Sequence, residues 1–219
     1  MLRKLSLALL FLSLCVCARA QFDVRVNAFI QDDLRKDAPF YNLGDYTRFV
    51  PSTMHMGLGL LGAPAKHALL DRTVEATIAH ACALSLGYAF KYTVNRERPD
   101  GSDNRSFPSG HTLFSFTGAE LTRMDYGLGW GAGAYAVAVF TAGERLWGNR
   151  HWLTDVLAGA GIGILSAHAG AWLLDPVKQL LNLPESSWDG PWGRKASCAF
   201  APVADPFSGT YAATLALEF

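Results

Sequence analysis

Two long stretches carry no formal charge. Tyr126–Gly143 and Val156–Leu174 run for 18 and 19 residues without Asp, Glu, Lys or Arg. Apolar side chains pull such a segment out of water, and every backbone N–H and C=O then needs a partner. An α-helix supplies those partners within the segment itself, with no second strand required. The two runs therefore commit the chain to long, largely buried helices. Both also fall within the range of about 17–25 residues that can cross a bilayer. Half of the chain is apolar and 17% is charged. Their high Ala and Gly content fits a buried soluble bundle as well as a membrane. Membrane association is the expectation taken.

The rest of the chain agrees with helices. Asp45 to Leu61 is apolar and Gly-rich, a first core helix interrupted near Pro51. Asp71 to Val94 is the clearest helix, with Asp71 as a candidate cap and Lys91 at its end, where a cation suits the helix dipole. His80 lies in its apolar stretch and reads as a core histidine. Asn95 to Phe107 is a loop, with Pro99, Gly101, Asp103 and Asn104 as turn residues. Further helices are expected over His111–Met124, about Gly131 to Leu146, and from His151 or Trp152 to Leu174, ending at Asp175-Pro176. Gly159, Gly161, Gly163 and Gly170 would let a neighbour approach the last of these closely. No internal repeat is visible. The expected fold is all-α, a bundle of about five to six core helices. A short C-terminal β-hairpin is expected over Ser197–Val203 and Thr210–Phe219, turned at Asp205–Gly209.

Residues 1–20 have the form of a secretory signal: Arg3 and Lys4, an apolar run from Leu5 to Val16, then Ala18-Arg19-Ala20. Residues 21–48 are polar and mixed, an N-terminal arm with a short helix around Asp32–Asp37. The expected division is signal peptide 1–20, arm 21–48, helical catalytic domain 49–182, and terminal loop and hairpin 183–219. Removal of residues 1–20 takes away three bases and no acid. The remainder is weakly acidic, which argues against nucleic acid as a partner. Cys82 and Cys198 would remain, too few for a disulfide framework, and they read as two unpaired thiols.

The chemistry is concentrated between Lys91 and Asp155, in three clusters. The first runs from Lys91 to Arg98-Pro99. The second is Pro108-Ser109-Gly110-His111. The third holds Arg145, His151 and Asp155. Lys91, Arg98 and Arg145 can neutralise a phosphate, with arginine forks matching its oxygens in pairs. Ser109 and Gly110 stand at an expected helix start, where free backbone N–H groups bind anions and glycine lets the backbone approach. His151 and Asp155 are four residues apart, one face of a helix. A carboxylate on one ring nitrogen fixes the tautomer and leaves the other nitrogen to attack. His111, at another helix start, is the candidate general acid. Taken singly, each arginine reads as a surface ion pair and Ser109 as a plain cap. Their order and spacing argue for a phosphate site. His55, His67 and His168 sit in no motif and read as structural or exposed. Arg96 and Arg105 flank the first loop, within reach of a head group or simply solvated. No carboxylate cluster has metal-ligand spacing, so neither a metal nor a cofactor is expected.

These clusters resemble the type 2 phosphatidic acid phosphatase and vanadium haloperoxidase superfamily, whose pattern is K-x6-R-P, P-S-G-H and S-R-x5-H-x3-D. The resemblance spans roughly residues 45 to 175. One position departs: Glu144 stands where the family has Ser, which leaves its effect on substrate choice open. The resemblance implies His151 as nucleophile, Asp155 as its partner and His111 as acid. Lys91, Arg98, Ser109, Gly110 and Arg145 would form the phosphate cradle. It further implies a metal-independent phosphatase working through a phosphohistidine on monoesters or pyrophosphates. A lipid-borne substrate and an exported, periplasm-facing, membrane-associated enzyme are expected. Phosphatidic acid, undecaprenyl pyrophosphate and lipid A phosphates are all compatible. The alternatives are a vanadium haloperoxidase, with vanadate in the cradle, and a non-catalytic lipid-phosphate binding protein.

Overall fold

The computed structural model describes residues 21–35 and 42–184 with their side chains, and residues 197–205 and 210–218 in backbone only. The expected signal peptide lies outside the described residues. Ser197–Asp205 and Thr210–Glu218 run as paired segments, and the hairpin there stays an expectation.

The described domain is helical. After a π-helical turn at Phe29–Leu34 come α1 (Gly44–Thr47), α2 (Val50–Leu60), α3 (Leu69–Val94), α4 (Gly110–Trp147) and α5 (Leu153–Leu180). The break near Pro51 falls just before it, and proline occupies the first turn of α2, where its missing N–H costs nothing. Asp71 does not cap α3, which starts at Leu69; it takes the Lys178 ammonium at 2.6 Å instead. That ion pair holds the last turn of α5 against α3. The helix accordingly continues past Pro176 to Leu180, beyond the expected end at Asp175.

The two helices expected around residues 125–131 are separated by a single residue. Gly127 adopts φ 80° and ψ −173°, a conformation open to glycine. The chain then doubles back. Ala119 packs with Ala134, the rings of Phe116 and Tyr135 lie 5.7 Å apart, and Tyr135 donates to Glu120 at 2.6 Å. These pairs are symmetric about Gly127, as in an antiparallel helical hairpin. The hairpin returns Arg145 to the end of the bundle where α4 began.

Glycines on α5 set the distance to its neighbours. A Cβ at Gly159 would lie 2.6 Å from Ser109 O, and one at Gly163 2.5 Å from Leu113 O. A Cβ at Gly170 would lie 2.7 Å from Glu75 O. Gly161 faces open space. Backbone cannot yield as a side chain can, so Gly163→Val should cost at least about 1–3 kcal/mol. That corresponds to a fall in melting temperature of about 2 °C or more. Gly161→Val is the matched control and should change it little. Equal shifts in thermal denaturation of the two variants would contradict the close approach.

Among the described residues, α5 alone is long and apolar enough to cross a membrane. The other uncharged run contains five glycines, which dilute its hydropathy. Large apolar side chains nevertheless face outward on both. Leu157, Leu165 and Trp172 on α5 are 60%, 65% and 74% exposed, and Val139 and Phe140 on α4 are more than half exposed.

Candidate active site

The end of α3, the start and the end of α4 and the start of α5 meet at one end of the bundle. Lys91 lies in the last turn of α3, Gly110 and His111 begin α4, Arg145 ends it, and His151 precedes α5. Helix starts supply N–H groups and helix ends supply the anchored cations.

His151 is 2% exposed, and its environment assigns its tautomer. Arg98 Nη1 stands 3.3 Å from Nε2. A guanidinium only donates, so Nε2 carries the lone pair and Nδ1 the hydrogen. Burial, with the charges of Arg98, Lys91 and Arg145, pushes the imidazole down to about 4. The ring is therefore neutral at neutral pH, with Nε2 turned toward a cation.

Asp155 stands behind His151 but does not touch it. Its Oδ2 is 3.8 Å from Nδ1, too far for a hydrogen bond. Ser106 lies between, donating to Asp155 Oδ2 at 2.5 Å and standing 3.5 Å from His151 Nδ1. Asp155 Oδ2 also accepts the Trp152 N–H at 2.9 Å, which caps α5. Its Oδ1 accepts Arg96 Nη1 at 2.7 Å. The expectation of a direct pair on one helical face is thus modified. His151 sits two residues before α5, and the serine couples it to the carboxylate.

His111 is buried beside α1. Its Nε2 lies 2.6 Å from Asp45 Oδ1 and 3.0 Å from Arg48 Nη1. One nitrogen cannot donate to the first and accept from the second. The shorter contact, to a carboxylate, places the hydrogen on Nε2. Burial, together with Arg145 and Arg48, pushes His111 down to about 3 against the pull of Asp45. The same histidine, with Arg145 and Arg48, holds the Asp45 carboxyl below its usual range.

The expected cradle residues converge here. Lys91 Nζ donates to Arg105 O at 2.7 Å. Arg98 is braced by Asp103 Oδ1 at 2.8 Å and Arg150 O at 3.1 Å. Arg145 Nη1 lies 3.9 Å from Asp45 Oδ1 and 3.5 Å from Glu144 Oε2. Its charge is felt by both histidines. Ser109 occupies the N-cap position, but its Oγ accepts from Thr112 Oγ1 at 3.0 Å and not from a helix N–H. Glu144 is buried against Arg145, and burial pushes its carboxyl up. Gly44 leaves room for this position of the carboxylate: a Cβ there would lie 2.1 Å from Glu144 Oε2, which would have to shift.

Several participants were not expected. Arg96 is no surface charge: its Nη2 meets Asp23 Oδ2 at 2.6 Å while Nη1 holds Asp155. Asp23, 1% exposed, also accepts the Thr154 N–H at 3.0 Å. The arm therefore braces the start of α5. Asp45 and His111 are 66 residues apart, and no spacing could have paired them. Ser106 adjoins the Pro108 cluster, which was the one available signal. Arg105 stacks over Tyr92, 5.1 Å from the ring centre. His80 bonds to Ser52 Oγ and Ala76 O, the satisfied core histidine that was expected.

The helix ends of the bundle gather three cations and two neutral histidines, a set whose chemistry suits an oxyanion such as phosphate. The PAP2 superfamily model matches residues 72–177, and this region of the chain belongs to that superfamily, the type 2 phosphatidic acid phosphatases. It is 44% identical over 92 residues to a lipid A 1-phosphatase of Porphyromonas gingivalis, a match covering 41% of this chain and 21% of that protein. The chain thus spans about a fifth of that relative's length. The crystal structure of Aquifex aeolicus LpxE shares the fold, with a TM-score of 0.52 and 22% identity over 68% of this chain and 94% of that one.

Proposed function

We propose that this chain is a metal-independent phosphatase acting on lipid-borne phosphate monoesters or pyrophosphates through a phosphohistidine at His151. The observation that carries the reading is the lone pair on His151 Nε2, buried, neutral and facing Arg98. Lys91, Arg98 and Arg145 neutralise the phosphoryl oxygens, the part a metal plays elsewhere. His151 Nε2 attacks phosphorus, the bond to the leaving oxygen breaks, and His111, carrying a second proton in the substrate complex, gives that oxygen a proton and returns to the neutral ring. Water then attacks phosphorus, the P–N bond breaks, and His111 takes the water's proton. Ser106 and Asp155 hold the ring and balance the imidazolium character that develops. The similarity to a lipid A 1-phosphatase and the outward apolar faces of α4 and α5 support a lipid substrate and membrane association. An extracytoplasmic site would follow from the signal-like residues 1–20.

The test is inorganic phosphate release by the purified protein from lipid A 1-phosphate, phosphatidic acid, undecaprenyl pyrophosphate and soluble monoesters. Release from at least one lipid, above the soluble esters, is expected. Vanadate, a mimic of the five-coordinate phosphoryl species, should inhibit it. Peroxide-dependent bromide oxidation faster than phosphate release would instead favour the haloperoxidase alternative.

A further inference from the structure

At the other end of the bundle stands a second polar cluster that the phosphatase reading does not use. His67 lies in the loop between α2 and α3, Glu75 in the first half of α3, and Asp125 just before the break at Gly127. His67 Nδ1 is 2.7 Å from Asp125 Oδ1 and 3.6 Å from Glu75 Oε2. One donor atom from each of the three lies within 4.8 Å of the others. Behind them, His55 Nε2 holds the second Asp125 oxygen at 2.6 Å.

Glu75 is the anomaly. Its side chain is 1% exposed, and neither carboxylate oxygen has a hydrogen-bond partner. A buried carboxylate is ordinarily paired, hydrogen-bonded or bound to a metal. Asp125 takes both its histidine hydrogen bonds, from His55 and His67, without Glu75, so a purely structural cluster leaves that group unexplained.

We propose that His67 Nδ1, Asp125 Oδ1 and a Glu75 oxygen bind one divalent transition-metal cation. One imidazole and two carboxylates form a mixed N/O donor set suited to Zn²⁺, with a fourth position open to water. His55 on Asp125 Oδ2 is the outer partner that orients a ligating carboxylate. The His67 side chain, 25% exposed, marks the side of entry, whereas Glu75 and Asp125 are each 1% exposed. Binding would displace the hydrogen on His67 Nδ1. The ion would fasten the α2–α3 loop, α3 and the turn of the α4 hairpin together. It would act on the stability of that end, not on phosphoryl transfer. The ligands are 8 and 50 residues apart in the chain, so no spacing motif announces them.

The test uses the full purified chain, stripped with chelator and titrated with ZnCl₂. Wild type should take up one Zn²⁺ per chain, and its melting temperature should rise with the metal. Glu75→Gln, which keeps the shape, and His67→Ala, at the exposed ligand, should each weaken binding at least tenfold and lose the thermal response. His151→Ala should bind Zn²⁺ like wild type, which separates this site from the catalytic end. Failure of wild type to retain stoichiometric zinc would overturn the proposal. So would unchanged affinity in both Glu75→Gln and His67→Ala, or loss of binding in His151→Ala.

Discussion

His151→Ala is expected to lower phosphate release by at least about 10⁴-fold, since removing a covalent nucleophile leaves only binding and electrostatics to catalyse. Phosphate analogues should still bind, because Lys91, Arg98 and Arg145 are untouched. Rapid acid-free quench of wild type with labelled lipid phosphate should trap label on the protein, and that label should be released by mild acid. The imidazole is held neutral down to about 4. Lowering the pH from neutral should therefore leave the nucleophile available until that region is approached. Asp155→Asn should be less damaging, because the carboxylate acts on the ring through Ser106 and from 3.8 Å. Retained turnover in His151→Ala would remove it from the role of nucleophile.

The second large effect concerns His111 and depends on the leaving group. By itself His111 is neutral, pushed down to about 3 by burial and two guanidiniums. The helix start at Gly110 also disfavours an imidazolium. A phosphate dianion reverses that balance, since an opposite charge nearby raises the pKa of a histidine. His111 would thus be protonated mainly in the substrate complex, where a proton is needed. General acid catalysis is worth about 10²–10⁴-fold, but only for a leaving group that requires protonation. An alkyl or lipid alkoxide requires it; a nitrophenolate barely does. His111→Ala should cripple release from alkyl and lipid phosphates and spare nitrophenyl phosphate. The loss should appear in formation of the phosphoenzyme, with substrate binding nearly unchanged. Equal losses on the two substrate types would mean that His111 positions phosphate, and the acid would lie elsewhere.

The helices could be read from the chain because long apolar runs have few alternatives. Val156–Leu174 became helix throughout and Tyr126–Gly143 did so apart from the break at Gly127, and the glycines at 159, 163 and 170 gave the close approaches they suggested. Boundaries were less legible. Pro176 looked like an end, but the Lys178–Asp71 ion pair carries the helix past it. Gly127 turned an expected loop into a one-residue reversal. Such outcomes depend on partners distant in sequence, which local propensity does not contain.

Sequence alone determined the helical class and named a candidate phosphate site, because hydrophobic run length and side-chain chemistry are local properties. Lys91, Arg98, Ser109, Gly110, His111, Arg145, His151 and Asp155 were all named from spacing. Only the tertiary structure decided how they are wired. It put Ser106 between His151 and Asp155, Asp45 on His111, Asp23 and Arg96 behind the carboxylate, and Glu144 against Arg145. It also left Glu75 buried beside His67 and Asp125 at the far end. The reason is physical: hydrogen bonds and desolvation act over a few ångströms of space, across separations of tens of residues that no motif records.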